Sequence, residues 1–295
     1  MTMDGAMIFE SRRKDETAPG YLARVMAAGD TVTTPCGDGE MLWHVFGDGP
    51  PLMLVHGGYG GWAHWVRNIP VLAGNFRLLL PDLPGHGESA MPPEPISGRG
   101  IASIVAAGLD RLLPSGASCD IAGFSFGGIV SGCVAEQMGD RIKNIVICGS
   151  NGLGLPRSRL SGFKHWRDVR DPEELADAHR TNLAILMFAD PANIDDLAVH
   201  IQSINTPNAR IKSRFIAETG VLAEALPKVT ARLAGIWGER DSYAAAYMDT
   251  RRDLFQKIQP GCPFHVIKDA GHWVIYEYAD EFNATLLRVL GGGDA

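Results

Sequence analysis

Ala122-Gly123-Phe124-Ser125-Phe126-Gly127-Gly128 decides how the rest of this chain is read. The brief apolar run Ser118–Ala122 (SCDIA) before it has strand character, and a segment of helical length, 126–139, follows. G-x-S-x-G between a strand and a helix is the context of a nucleophile elbow. The reason is steric. A strand that turns abruptly into a helix forces its central residue into a strained conformation, and only small neighbours, here Gly123 and Gly127, let the backbones pass. The helix start beneath Ser125 brings unpaired N–H groups and a positive dipole end to its hydroxyl.

Outward from this point, apolar runs and helical patterns alternate. Pro51–His56, Arg77–Leu80, Asn144–Cys148, Leu233–Trp237 and Pro263–Ile267 read as buried strands, with Asp30–Thr34 and Gly39–Phe46 as antiparallel leading strands. Helices are expected over 62–73, 99–113, 244–258 and 278–290. Such alternation predicts an α/β fold, with a mostly parallel central sheet flanked by helices and sites at strand C-terminal ends. The rhythm breaks over 151–227, which holds Pro156, Pro172, Pro191 and Pro207, charged amphipathic segments and no convincing strand. Residues 1–150 and 228–295 are therefore expected to form the core. Residues 151–227 would be a helical cap, inserted after a core strand and roofing the site.

Composition removes several function classes. The 295 residues carry 27 Lys+Arg against 34 Asp+Glu, a formal charge of −7, so nucleic acid is a poor partner. No run approaches the ~20 apolar residues of a membrane span. The start, MTMDGAMIFESRRKDE, lacks the order of a secretory signal, and a cytoplasmic protein without membrane partners is expected. Cys36, Cys119, Cys133, Cys148 and Cys262 contain no CxxC, and Cys119 and Cys148 read as small buried hydrophobes. There is no HExxH, no GKS or GKT and no G-x-G-x-x-G, so neither a metal nor a cofactor is expected. The expected partner is a small-molecule substrate, and a homodimer is compatible with the scaffold.

A serine hydroxyl needs a base to take its proton, and that base needs an orienting acid; for this elbow the chain order is Ser, acid, His. Asp241 in Gly238-Glu239-Arg240-Asp241 and His272 in Asp269-Ala270-Gly271-His272-Trp273 each follow a strand, with Glu239 the competing acid. An oxyanion hole needs two backbone N–H donors. Phe126 would supply one; Gly58, or else Tyr59, in His56-Gly57-Gly58-Tyr59-Gly60-Gly61 would supply the other. Asp82-Leu83-Pro84-Gly85-His86-Gly87 reads as a structural turn in which Asp82 bonds its own backbone.

From about Met41 to Leu290 these features resemble the α/β-hydrolase superfamily. Within it, Gly271-His272-Trp273-Val274-Ile275-Tyr276-Glu277-Tyr278-Ala279-Asp280-Glu281-Phe282-Asn283 is similar to the C-terminal run of meta-cleavage-product hydrolases, which split a C–C bond in vinylogous 1,5-diketones. The resemblance implies the α/β-hydrolase fold, Ser125, Asp241 and His272 as the triad, and an all-helical cap. It places Tyr59, Phe124, His64 and Trp273 around the substrate. The chain departs from that pattern in three places. Phe124 and His64 stand where the family has Asn, and no Arg falls near His200 to Gln202, where the cap arginine that pairs with the substrate carboxylate should lie. Arg210 or Arg214 would have to replace it.

The expected activity is that of a cofactor-independent serine hydrolase acting on a small, partly apolar carboxylic ester or activated ketone. The alternatives are C–C bond hydrolysis, cofactor-free haloperoxidase-like chemistry, and a ligand-binding protein on the same scaffold. Without the cap arginine, neutral esters should outperform dienoates, since a desolvated carboxylate without a charged partner is costly.

Overall fold

In the computed structural model, residues 12–292 are described, so 1–11 of the N-terminal stretch read above lie outside them. Eight strands form one sheet: β1 (Asp30–Cys36), β2 (Gly39–Phe46), β3 (Pro51–Val55), β4 (Arg77–Pro81), β5 (Cys119–Phe124), β6 (Ile142–Cys148), β7 (Arg232–Gly238) and β8 (Phe264–Ile267). Their spatial order is β1-β2-β4-β3-β5-β6-β7-β8. The β1–β2 and β2–β4 pairs are antiparallel; every pair from β4 through β3, β5, β6 and β7 to β8 is parallel. This is the α/β-hydrolase sheet, with β5 near its centre.

The helices are α1 (Ala18–Ala27), α2 (Ile69–Leu72), α3 (Gly98–Leu112), α4 (Phe126–Met138), α5 (Pro172–Leu186), α6 (Asp196–Asn205), α7 (Ser213–Ala217), α8 (Val221–Ala225), α9 (Met248–Ile258), α10 (Val274–Glu277) and α11 (Ala279–Leu290). Strand alternation sorts the core into two layers. Leu52 and Leu54 of β3, with Ala122 and Phe124 of β5, face α1 and α11. Met53 and Val55, with Ile121, face α3, α4 and α9. Among the described residues no helix is long and apolar enough to cross a membrane.

Three details differ from the sequence reading. The helix expected over 62–73 is split into a 3-10 turn, Trp62–Trp65, and α2. The Asn68 side chain, at that break, is drawn away to Ile275 O (2.9 Å) and Asn283 Oδ1 (2.8 Å). Asp82 does not bond its own turn through its side chain; Oδ1 accepts the Trp62 N–H at 2.8 Å. Residues 151–227 hold four α-helices and no strand, yet they share the hydrophobic layers of the sheet. Leu183, Phe188, Leu197 and Ile201 join one layer, while Ile211, Leu222 and Leu226 join the other.

Candidate active site

One residue separates β5 from α4, and it is Ser125. Its φ of 52° and ψ of −115° put a non-glycine residue in a costly backbone region. The surroundings hold it there: Ser125 N–H donates to Cys148 O (2.8 Å), and the Ser150 hydroxyl donates to Ser125 O (2.7 Å). A Cβ on Gly123 would lie 2.3 Å from Ser131 Oγ, and one on Gly127 would lie 2.3 Å from Val55 O. Both glycines are therefore dictated by close backbone approach. The Ser125 side chain does not cap α4; the Gly128 N–H donates to Ser125 O (3.0 Å), and the Phe126 N–H at the helix start is left for a ligand.

Asp241 and His272 arrive from the ends of β7 and β8. Asp241 Oδ1 accepts the N–H groups of Tyr243 (2.9 Å) and Ala244 (3.0 Å), which orients Oδ2 toward His272 Nδ1 at 2.8 Å. His272 Nε2 lies 3.0 Å from Ser125 Oγ. With Asp241 accepting from Nδ1–H, Nε2 is the nitrogen free to accept the serine proton. Both side chains are buried. Glu239 is exposed, and its carboxylate accepts the Asp269 N–H at 3.0 Å instead.

The His272 loop is braced by a residue the sequence reading gave no role. Glu277 accepts N–H groups from Gly271 (2.7 Å), Ala189 (3.1 Å) and Asp190 (3.1 Å). Trp273 N–H donates to Met187 O at 2.8 Å. The turn that carries the histidine is thus fastened to the segment after α5.

The glycine turn after β3 runs beside the start of α4: a Cβ on Gly58 would lie 3.8 Å from Phe126 Cβ and 2.5 Å from Ser213 Oγ. Tyr59, at φ 57°, projects outward and is 39% exposed. His64, Phe124 and Trp273 do not join it. All three are fully buried: the Phe124 ring lies 5.2 Å from that of His272, and behind it the His64 ring lies 5.8 Å from Phe124 and 5.0 Å from Trp273. Burial, reinforced by His86 and His272, pushes His64 down to about 3, so it is neutral.

A cavity of about 910 Å³ opens above the site. Tyr59, Leu183, Leu186, Met187, Gln202 and Tyr243 line it, but Ser125 and His272 do not; Tyr243 stands between, its ring edge-on to His272 at 5.4 Å. The cavity does not lack charge, as the missing cap arginine implied. Arg214 lines it, together with Arg157, Arg159, Lys164 and Arg167. Arg210 does not, because its guanidinium is held by the carbonyls of Gly87 and Ser89. The cationic residues of 157–167 escaped the sequence reading because that segment has no periodic structure to place them. All five cysteines are buried free thiols, and burial raises Cys119 to about 12.

The chain belongs to the alpha/beta hydrolase family, whose model matches residues 52–285. It is 27% identical over 267 residues to 2-hydroxy-6-oxo-6-phenylhexa-2,4-dienoate hydrolase of Burkholderia cepacia, covering 84% of this chain and 90% of that one. It is 31% identical over 255 residues, 82% of this chain, to the dihydrolipoyllysine-residue acetyltransferase component of the acetoin cleaving system of Pseudomonas putida, of whose length it spans 64%. A bromoperoxidase from Bacillus anthracis shares the fold with a TM-score of 0.72 at 19% identity, over 89% of this chain and 100% of that one.

Proposed function

We propose that this α/β hydrolase is a cofactor-independent serine hydrolase of small, partly apolar carboxylic esters or activated ketones. The observation that carries the reading is the continuous chain Ser125 Oγ–His272 Nε2 (3.0 Å) and His272 Nδ1–Asp241 Oδ2 (2.8 Å), built on a strained elbow. Ser125 Oγ adds to the carbonyl carbon while His272 Nε2 takes its proton. The resulting oxyanion is held by the N–H groups of Phe126 and Gly58, with Tyr59 the alternative to Gly58. Collapse breaks the bond to the leaving group, which receives the proton from His272. Water then adds to the acyl-enzyme with His272 as base, releasing the acid and restoring Ser125. Asp241 keeps the imidazole in the tautomer that can accept. The helices of 151–227 roof the site and select the substrate through the cavity they line with Tyr59 and Tyr243. Phe124 packs against the His272 ring, and His64 and Trp273 back it.

A second reading, C–C bond hydrolysis of a ring-fission dienoate, is favoured by the arginines of the cavity and by the Burkholderia relative. The expectation that esters outperform dienoates rested on an absent charge, and the cations of the cavity supply one. The purified protein with p-nitrophenyl esters of rising acyl length and, separately, with a dienoate chooses between them by kcat/KM. In either branch Ser125→Ala should keep its melting temperature and lose at least ~10³-fold in kcat. Activity above ~1% of wild type would place the nucleophile elsewhere.

A further inference from the structure

The chain is acidic overall, with 34 Asp+Glu against 27 Lys+Arg, but the wall of the cavity of about 910 Å³ reverses that sign. Arg157, Arg159, Lys164, Arg167 and Arg214 line it, with Glu218 the one carboxylate among the lining residues. Lys164 is matched by Asp177. Arg159 and Arg167 have no carboxylate partner among the described residues, and Arg167 stacks on Trp166 at 4.8 Å. Arg157 Nη2 (2.7 Å) and Arg214 Nε (3.0 Å) both donate to the same oxygen, Glu218 Oε1. One carboxylate oxygen thus holds two guanidiniums, each of which has further N–H donors to offer.

This cluster is tied to the reacting centre. Arg157 lies over the Tyr243 ring at 5.2 Å, Tyr243 meets His272 edge-on, and Ser158 N–H donates to Tyr243 O at 3.0 Å. A substrate whose carbonyl reached Ser125 would leave its far end among these arginines.

We infer that Arg157 and Arg214, with Arg159 and Arg167 lining the same cavity, bind a phosphate-type group carrying two or more negative charges on the distal arm of the substrate, and that Glu218 is an internal counterion which this group displaces. The inference rests on the hydrolase reading for the other end of the substrate. Four guanidiniums and one carboxylate leave three positive charges. A single carboxylate balances one of them; a phosphate-type group balances two or more and matches the planar guanidinium forks. The cavity, about 910 Å³, also has room for far more than a short acyl chain.

Inorganic pyrophosphate is the probe, titrated calorimetrically into the full chain at low salt. Wild type should bind it, with affinity falling as salt rises. Arg157→Gln and Arg214→Gln should each weaken binding about 10-fold, Glu218→Gln should tighten it at least about 3-fold, and Ser125→Ala should match wild type. Melting temperatures establish that each variant is folded. An ester phosphorylated on its leaving group should show a KM about 10-fold below that of its dephosphorylated counterpart, a gap that closes in Arg214→Gln. No pyrophosphate binding, equal binding in wild type and Arg214→Gln, or equal KM for the two esters overturns the inference. A protein that binds pyrophosphate but turns over neither esters nor a dienoate defeats the hydrolase reading and leaves the anion site standing. Ester hydrolysis without pyrophosphate binding does the reverse.

Discussion

Acid should unfold this protein well before its carboxylates titrate, because three neutral histidines are locked beneath the active-site turns. His56, His64 and His86 are all fully buried. His56 is fixed in one tautomer: Nδ1–H donates to Gly57 O (2.8 Å), while Nε2 accepts the Leu83 N–H (2.9 Å). Protonating Nε2 would break the second bond. Burial pushes His56 and His64 down to about 3 and His86 to about 4, from 6.5. These folded-state values lie below the unfolded one, so the stabilisation is complete above about pH 6.5 and drains away as pH falls toward 4. At pH 5 each histidine accounts for about 2 kcal/mol, and the three for roughly 6 kcal/mol, comparable with the whole stability of many domains. Urea unfolding at pH 7.5, 6.0 and 5.0 measures this, and the steepest slope should be about 4 kcal/mol per pH unit. His64→Asn, which keeps an acceptor for the Gly57 N–H, should flatten that slope by about 1.4 kcal/mol per pH unit. A slope below that of one histidine, or one unchanged in the variant, refutes the reasoning.

Two further outcomes follow from the site. Asp241→Asn should lower kcat about 10³- to 10⁴-fold by favouring the wrong imidazole tautomer, whereas Glu239→Gln should change kcat less than about 3-fold; the reverse order in ester assays would move the acid to Glu239. Gly127→Ala places a methyl 2.3 Å from Val55 O, so the soluble yield and melting temperature should both fall sharply, and a variant that melts like wild type would remove the steric account of the elbow.

The sheet was legible because each strand carries its own signal: PLMLV, RLLL and NIVIC are apolar on both faces, as buried parallel strands must be, and Gly, Pro or Asp ends them. The elbow was legible for the same local reason. Helix α1 was overlooked although Thr17 and Pro19 announce it, since the Thr17 side chain accepts the Gly20 N–H and Tyr21, Leu22 and Val25 face the core. The cavity could not be read locally. Arg157 and Glu218 stand 61 residues apart and meet only after α5 and α6 have folded between them. The burial of His64, Phe124 and Trp273 was hidden in the same way, because residue type matches a family position whichever way the side chain points.

The brace at Glu277 makes the anchorage of residues 151–227 unequal along their length. Where the segment after α5 meets the histidine turn, Glu277 and Met187 O lock the parts together, and a Cβ on Gly271 would strike Ala189 N at 2.4 Å. Over 156–170 there is no regular secondary structure, and isolated bonds such as Ser158 N–H to Tyr243 O (3.0 Å) and Arg157 to Glu218 (2.7 Å) hold the segment instead. The anchorage is therefore lopsided: the segment after α5 shares one fastening with the turn that carries His272. Removing the Glu277 carboxylate should free both at once, the 187–190 segment and the His272 imidazole.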